Sequence, residues 1–265
     1  MAIALLFVGH WYSSIFFQSF FLHRYGAHRM FYMSRFWERV FYFLTFISIG
    51  PSFFNPRAYA VMHRRHHAYS DQEGDPHSPK FFSNILSLLW GTIKFYLKTE
   101  LKRAEPKDAF ERNCPEWDSF DKLTNRWSVR IIFAGLYVLF YYYFAAAWWM
   151  YFLLSVHLMM GGVVGTLVNW FGHRYGYVNF DETNDSSKNC FPIDLLLLGE
   201  LLQNNHHKFP GRPNFAVTAF EVDPLYPIIV LFNWLGIVRF SRSADGQTGS
   251  SVESLGRRSL PKGTR

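Results

Sequence analysis

The chain carries no lysine or arginine before Arg24 and none between Arg130 and Arg174, and apolar residues fill both gaps. Each gap is long enough to cross a bilayer. The remaining basic residues gather on one side of a membrane, as cytosolic segments do. Composition agrees: 49% of residues are hydrophobic and 18% charged, against roughly a quarter charged in an average chain. The net charge of +7 therefore reflects membrane orientation rather than a nucleic-acid partner. The fold class implied is all-α: a polytopic membrane protein with about three transmembrane helices, interfacial helices and a histidine-rich helical cap on the cytosolic face.

Residues 2–22 supply the first span, interrupted only by polar side chains such as His10 and Gln18. Residues 128–149 and 150–172 read as a hairpin that crosses and returns, with Trp148 and Trp149 at the far interface. Residues 193–203 are expected to form a short apolar helix, and 81–97 and 225–240 to lie at the interface. Residues 98–127 read as a cytosolic connection. A single domain then runs from 1 to 240, and 241–265 form a disordered basic tail. Cys114 and Cys190 sit in no metal or redox spacing and read as ordinary thiols.

Within this frame the stretch His63-Arg64-Arg65-His66-His67 stands out. Positions i, i+3 and i+4 share one helical face, so the three imidazoles converge while both arginines point elsewhere. Imidazole is a preferred ligand for iron, copper, nickel and zinc. Further histidines stand beside other membrane ends: His23 and His28, His206 and His207, and His173 four residues after Asn169. Eight of the 11 histidines belong to this set, which exceeds what one tetrahedral or octahedral ion can use and implies two metals.

Two geometric demands follow. If residues 40–56 crossed the membrane, His23 and His28 would lie roughly 30 Å from His63, His66 and His67. Residues 36–56 must therefore lie in the interface, or dip in and return. His23 and His28, five apart, are separated by about 140° on an α-helix. Their convergence requires the helix to end or bend, for which Gly26 offers a place.

With these residues in view, the chain resembles the membrane-bound fatty-acid desaturases, and within them the acyl-CoA (stearoyl-CoA type) delta-9 branch. The likeness rests on His23-Arg24-x-x-x-His28, the His63–His67 box, Asp75-Pro76-His77-Ser78-Pro79, Asn169-x-x-x-His173, and Gly199-Glu200 ahead of His206-His207-x-Phe209-Pro210. It spans roughly residues 3–240. It implies O2-dependent insertion of a cis double bond into a saturated acyl chain. It also implies two iron ions held by His23, His28, His63, His66, His67, Asn169, His173, His206 and His207. The family's last box usually begins with histidine; here that place is Gln203, which could ligate weakly through its carbonyl oxygen or through water. The implied partners are a fatty acyl-CoA or another acyl carrier, O2, membrane lipid, and a separate electron donor such as ferredoxin or a cytochrome b5-like protein with its reductase. The N-terminus is expected on the side opposite the cytosol. A hydroxylase or ketolase of the same superfamily is the nearest alternative, and a non-enzymatic haem- or metal-binding membrane protein the next.

Asp71, Glu73, Asp75 and Glu200 are candidates to orient ligand imidazoles through their second N–H. His10 and His157 fall within spans, where ionisable groups are functional candidates and a neutral, hydrogen-bonded histidine is the expected state of each. His77, in a proline-flanked turn, reads as structural.

Overall fold

The computed structural model describes residues 1–101 and 109–241. Apart from Ser241, the expected tail lies outside the described residues. Among the described residues, two helical stretches are long and apolar enough to cross a membrane, or three if a bent helix pair counts as one span. The first, Ala2–Ala27, is built from α1 (Ala2–Phe17) and a π-helical continuation, Gln18–Ala27. The second is α6 (Trp127–Phe144), which exposes Ile131, Ile132, Leu136, Leu139 and Tyr142 along its length. Such a face is stable only against lipid or another apolar surface.

The expected return leg is not one helix. It comprises α7 (Tyr151–Leu158) and α8 (Met160–Gly172), bent by 79° at Met159. A break inside a membrane frees backbone donors that must find partners. Here Ser52 Oγ accepts from the Gly161 amide at 2.9 Å. Gly161 also has no room for a side chain: a Cβ there would sit 3.0 Å from both Ile49 Cγ2 and the Ser52 carbonyl.

Ser52 arrives on the segment expected to dip and return. α2 (Arg35–Ile49) starts at Ser34, whose hydroxyl accepts from the Trp37 amide, and ends at Gly50-Pro51. It packs beside α1, with Phe41 against Phe17 and Phe20. Where α2 ends, Gly50 meets the Tyr137 ring of α6. Asn55 then caps α3 (Pro56–Tyr69), taking the Ala58 amide at 3.1 Å, and α3 carries the chain back beside the π-helical segment.

α4 (Ile85–Leu101) lies along α8 and α3, and α5 (Asp118–Thr124) leads into α6. Residues 195–201 form turns rather than the expected helix, with Ile193 and Leu202 in isolated bridges on either side. The reason is Asp194, whose carboxylate accepts from the amides of Leu197, Gly199 and Leu201, a pattern that closes turns instead of propagating a helix. α9 (Gln203–Lys208) and α10 (Tyr226–Trp234) follow. The all-α expectation also misses one small antiparallel ribbon, β1 (Phe31–Met33) with β2 (Val238–Phe240), pairing Phe31 with Phe240 and Met33 with Val238.

His10 and His157 join α1 to α7 just above the bend, with their Nδ1 atoms 2.6 Å apart. Each was expected to be hydrogen-bonded; that the partner is the other histidine is shown only by the fold. Cys114 and Cys190 are both free thiols.

Candidate metal centre

The π-helical segment solves the His23–His28 problem without a kink. Its hydrogen bonds close across five residues, and the His28 amide donates to the His23 carbonyl at 3.1 Å. In a π-helix residues five apart share a face, so both rings look the same way. The expected bend at Gly26 is replaced by a wider helix. Arg64 secures its end, donating to the carbonyls of Gly26, Ala27, Phe110 and Arg112 from a buried position. Arg64 does leave the ligand face as expected, and it fastens α3 to the neighbouring box.

The eight imidazoles sort into five and three. His23, His28, His63, His67 and His206 form one group; His66, His173 and His207 form the other. In the first, Nε2 atoms face Nε2 atoms: His28 to His63 at 2.7 Å, His67 to His206 at 2.9 Å, and His23 to His206 and His67 to His63 at 3.0 Å. Each neutral ring has one proton, so such a convergence leaves lone pairs pointing at one centre. Burial, followed by the mutual charges of neighbouring imidazoles, holds His28, His63, His67 and His206 well below the usual histidine range. They are neutral near pH 7, as ligation requires.

In the second group the Nε2 atoms of His66, His173 and His207 are buried without any partner. Three orphaned nitrogens meeting in one place fit a cation, because buried polar atoms otherwise find hydrogen bonds. The opposite nitrogens are held by carboxylates: His66 Nδ1 by Asp75 at 2.9 Å, His173 Nδ1 by Asp71 at 3.0 Å, and His207 Nδ1 by Asp185 at 2.6 Å. Glu200 does the same for His23 at 2.7 Å. The three aspartates accept hydrogen bonds from the Nδ1 atoms of His66, His173 and His207, which turns the Nε2 lone pairs inward. Burial works to raise the Asp75 carboxyl, but the charge and hydrogen bond of His66 outweigh it and bring it down to about 2.

Asp71, Asp75 and Glu200 each lie against the Nδ1 atom of one of these imidazoles. Glu73 does not: it is exposed and orients no imidazole. Asp71 and Gly74 both adopt positive φ, which swings the intervening residues out of the turn. Asp185 was not foreseen, since it lies in a polar loop 22 residues before His207 with no periodic relation to it.

Asn169 lines the cleft beside the histidines, its amide nitrogen donating to the Gly165 carbonyl at 2.8 Å, which leaves its oxygen as the atom able to ligate. Gln203 is buried, and its amide nitrogen donates to the Glu200 carbonyl at 2.7 Å. Its neighbours Asn204 and Asn205 fix α9: Asn204 Oδ1 takes the amides of Asn179 and Phe180, and Asn205 Nδ2 donates to Glu221 at 2.9 Å. Beside His23 and His63 the cleft continues between apolar walls that include Ile15, Phe54, Met62, Val164 and Val168.

A sequence model of the fatty acid desaturases matches residues 1–227. The chain belongs to the fatty acid desaturase family. This desaturase-family chain is 27% identical to an acyl-CoA 5-desaturase of Anemone leveillei over 218 residues, which cover 81% of it and 64% of that relative. It is 28% identical to a hex-5-enoyl-[acyl-carrier protein] acetylenase of Moorena producens over 249 residues, covering 88% and 74% of the two chains. With a delta-9 acyl-lipid desaturase of Arabidopsis thaliana it shares 27% identity over 215 residues, or 81% and 66%. The chain thus matches about two thirds of the length of these relatives. Their names include a CoA, a carrier-protein and a lipid substrate, so the family likeness leaves the acyl carrier open.

Proposed function

We propose that the chain is an O2-dependent fatty acyl-CoA desaturase, of delta-9 regiochemistry, that draws electrons from a separate donor protein. The observation that carries this reading is the meeting of the five- and three-imidazole groups, with His23 and His63 of the first lining an apolar cleft. His23, His28, His63, His67 and His206 would hold one iron; His66, His173 and His207, with Asn169 beside them, would hold the other. Iron, when bound, supplies the redox capacity to use O2 against C–H bonds too strong for acid–base side chains. Removing two hydrogens from a CH2–CH2 unit while O2 becomes two waters consumes two electrons and two protons, hence the external donor.

The chain's own residues have three tasks in this scheme. Glu200, Asp71, Asp75 and Asp185 set ring orientation and keep the ligand lone pairs inward. The walls from Phe54, Met62, Val164 and Val168 exclude water and confine a flexible alkyl chain. Arg64 and the ion pair between Arg24 and Asp223, 2.9 Å long and fully buried, hold the first box rigid. The site lies on the cytosolic face in this reading, where acyl thioester and electron donor are found.

Lipid profiling of a host expressing the chain, against a His206→Ala control, tests the assignment. A new monounsaturated acyl chain two hydrogens lighter than its precursor is expected in the first host alone. A product heavier by one oxygen would instead make the chain a hydroxylase, and no product with any reductant would reject turnover.

A further inference from the structure

The two oxygens of Glu200 have different partners. Oε2 lies 2.7 Å from His23 Nδ1. Oε1 accepts the hydroxyl proton of Ser19, its one hydrogen bond among the described residues. Ser19 has no place in the scheme above. A serine within a helix readily returns its proton to a carbonyl one turn earlier, yet Ser19, 1% exposed, donates instead to a residue 181 positions away. It stands inside the π-helical segment, where residues five apart share a face. Ser19 and Arg24 are such a pair, as His23 and His28 are, and both lie against the same oxygen: Arg24 Nε is 3.9 Å from Glu200 Oε1. The rest of the Arg24 guanidinium is taken up by Asp223 and the Pro213 carbonyl, while Nε itself has no hydrogen-bond partner.

A buried carboxylate oxygen left without a donor is costly. Without the Ser19 hydroxyl, Oε1 is left to the orphaned Arg24 Nε. A turn of the carboxylate that closes 3.9 Å to hydrogen-bond distance would draw Oε2 away from His23. We propose that Ser19 is a positioning residue for the cation of the five-imidazole group: it fixes the rotation of the Glu200 carboxylate and so keeps Oε2 on His23 Nδ1. The assignment rests on the two-iron reading. It gives the π-helical register a second task, because the spacing that joins His23 to His28 also sets Ser19 beside the carboxylate that orients His23.

The test titrates the metal-depleted full-length chain in detergent with ferrous iron under anaerobic conditions, counting bound iron by mass spectrometry. The unaltered chain is expected to bind two equivalents; fewer would overturn the two-iron reading and the assignment with it. Ser19→Ala should weaken one equivalent about tenfold and leave the other within about twofold. In a Glu200→Ala background no carboxylate remains to be fixed, so adding Ser19→Ala should cost less than about twofold further. A packing defect at Ser19 would cost the same in both backgrounds, and that result overturns the assignment. So does wild-type affinity for both equivalents in Ser19→Ala, or an equal loss of both.

Discussion

Asp185 and Glu73 would be ranked in the wrong order by position alone. Glu73 lies between two true partners of imidazoles, Asp71 and Asp75, yet faces solvent, whereas Asp185 is remote in sequence and holds His207. Only the turn around Asp71 and Gly74, with its positive φ angles, decides between them, and no side-chain pattern announces it. Asp185→Asn should therefore weaken iron binding by roughly 10- to 100-fold, as loss of a ligand-orienting carboxylate does, while Glu73→Gln should leave it within about twofold; iron titration reads both. Gly172 carries a second prediction at this scale. A Cβ there would run into Gln203 Cγ, so Gly172→Ala should destabilise the fold by about 1–3 kcal/mol through overpacking, measured by thermal melting in detergent. A third concerns pH in the metal-free chain. Burial, offset only partly by Asp185, brings His207 down to about 4, and burial with the His66 charge brings His77 to about 3. Both rings take up protons more readily unfolded, near 6.5, than folded. Their neutrality therefore stabilises nothing extra above that value, and stability falls as pH drops below it toward 4. A melting temperature that is flat between pH 7 and 5 would contradict this.

The π-helical segment shows what periodicity can and cannot deliver. The five-residue spacing of His23 and His28 is visible in the chain, and it correctly signals that an ordinary α-helix fails there. What it does not signal is the remedy, because π-helix formation depends on partners distant in sequence. Arg64, whose guanidinium gathers the carbonyls at the end of this segment, is such a partner. Arg64→Lys keeps the charge but loses the fork of donors, and should lower iron occupancy while membrane insertion persists; quantitative metal analysis of the membrane-extracted protein would show it. The helix break at Met159 has a similar origin. Sequence length alone suggests one span from 150 to 172, and the bend depends on the hydroxyl of Ser52 reaching the Gly161 amide from a separate element. By contrast the ligand face of α3 was legible from the i, i+3, i+4 histidines, while its start at the Asn55 cap and Pro56 does not enter that reading, although both are local signals.

At the scale of the whole molecule, the charge gaps anticipated where the long apolar helical stretches fall among the described residues. The requirement that His23 and His63 share a centre also excluded a crossing at 40–56, and α2 does turn back at Gly50. With Cys114 and Cys190 replaced by serine, a cysteine at Ala2 or Trp149 should react with a membrane-impermeant maleimide from outside the cell. One at Glu73 should react only after permeabilisation, and the reverse pattern would invert the orientation. The ring contact between His23 and His206 has a temporal meaning as well. The two residues touch at 3.0 Å but are separated by 183 positions along the chain. At roughly 5–20 residues per second of synthesis, His206 emerges on the order of ten to forty seconds after His23. Until then the nascent chain lacks one of the five imidazoles of this group, so in the proposed reading iron delivery to it is completed only after translation has passed the last box.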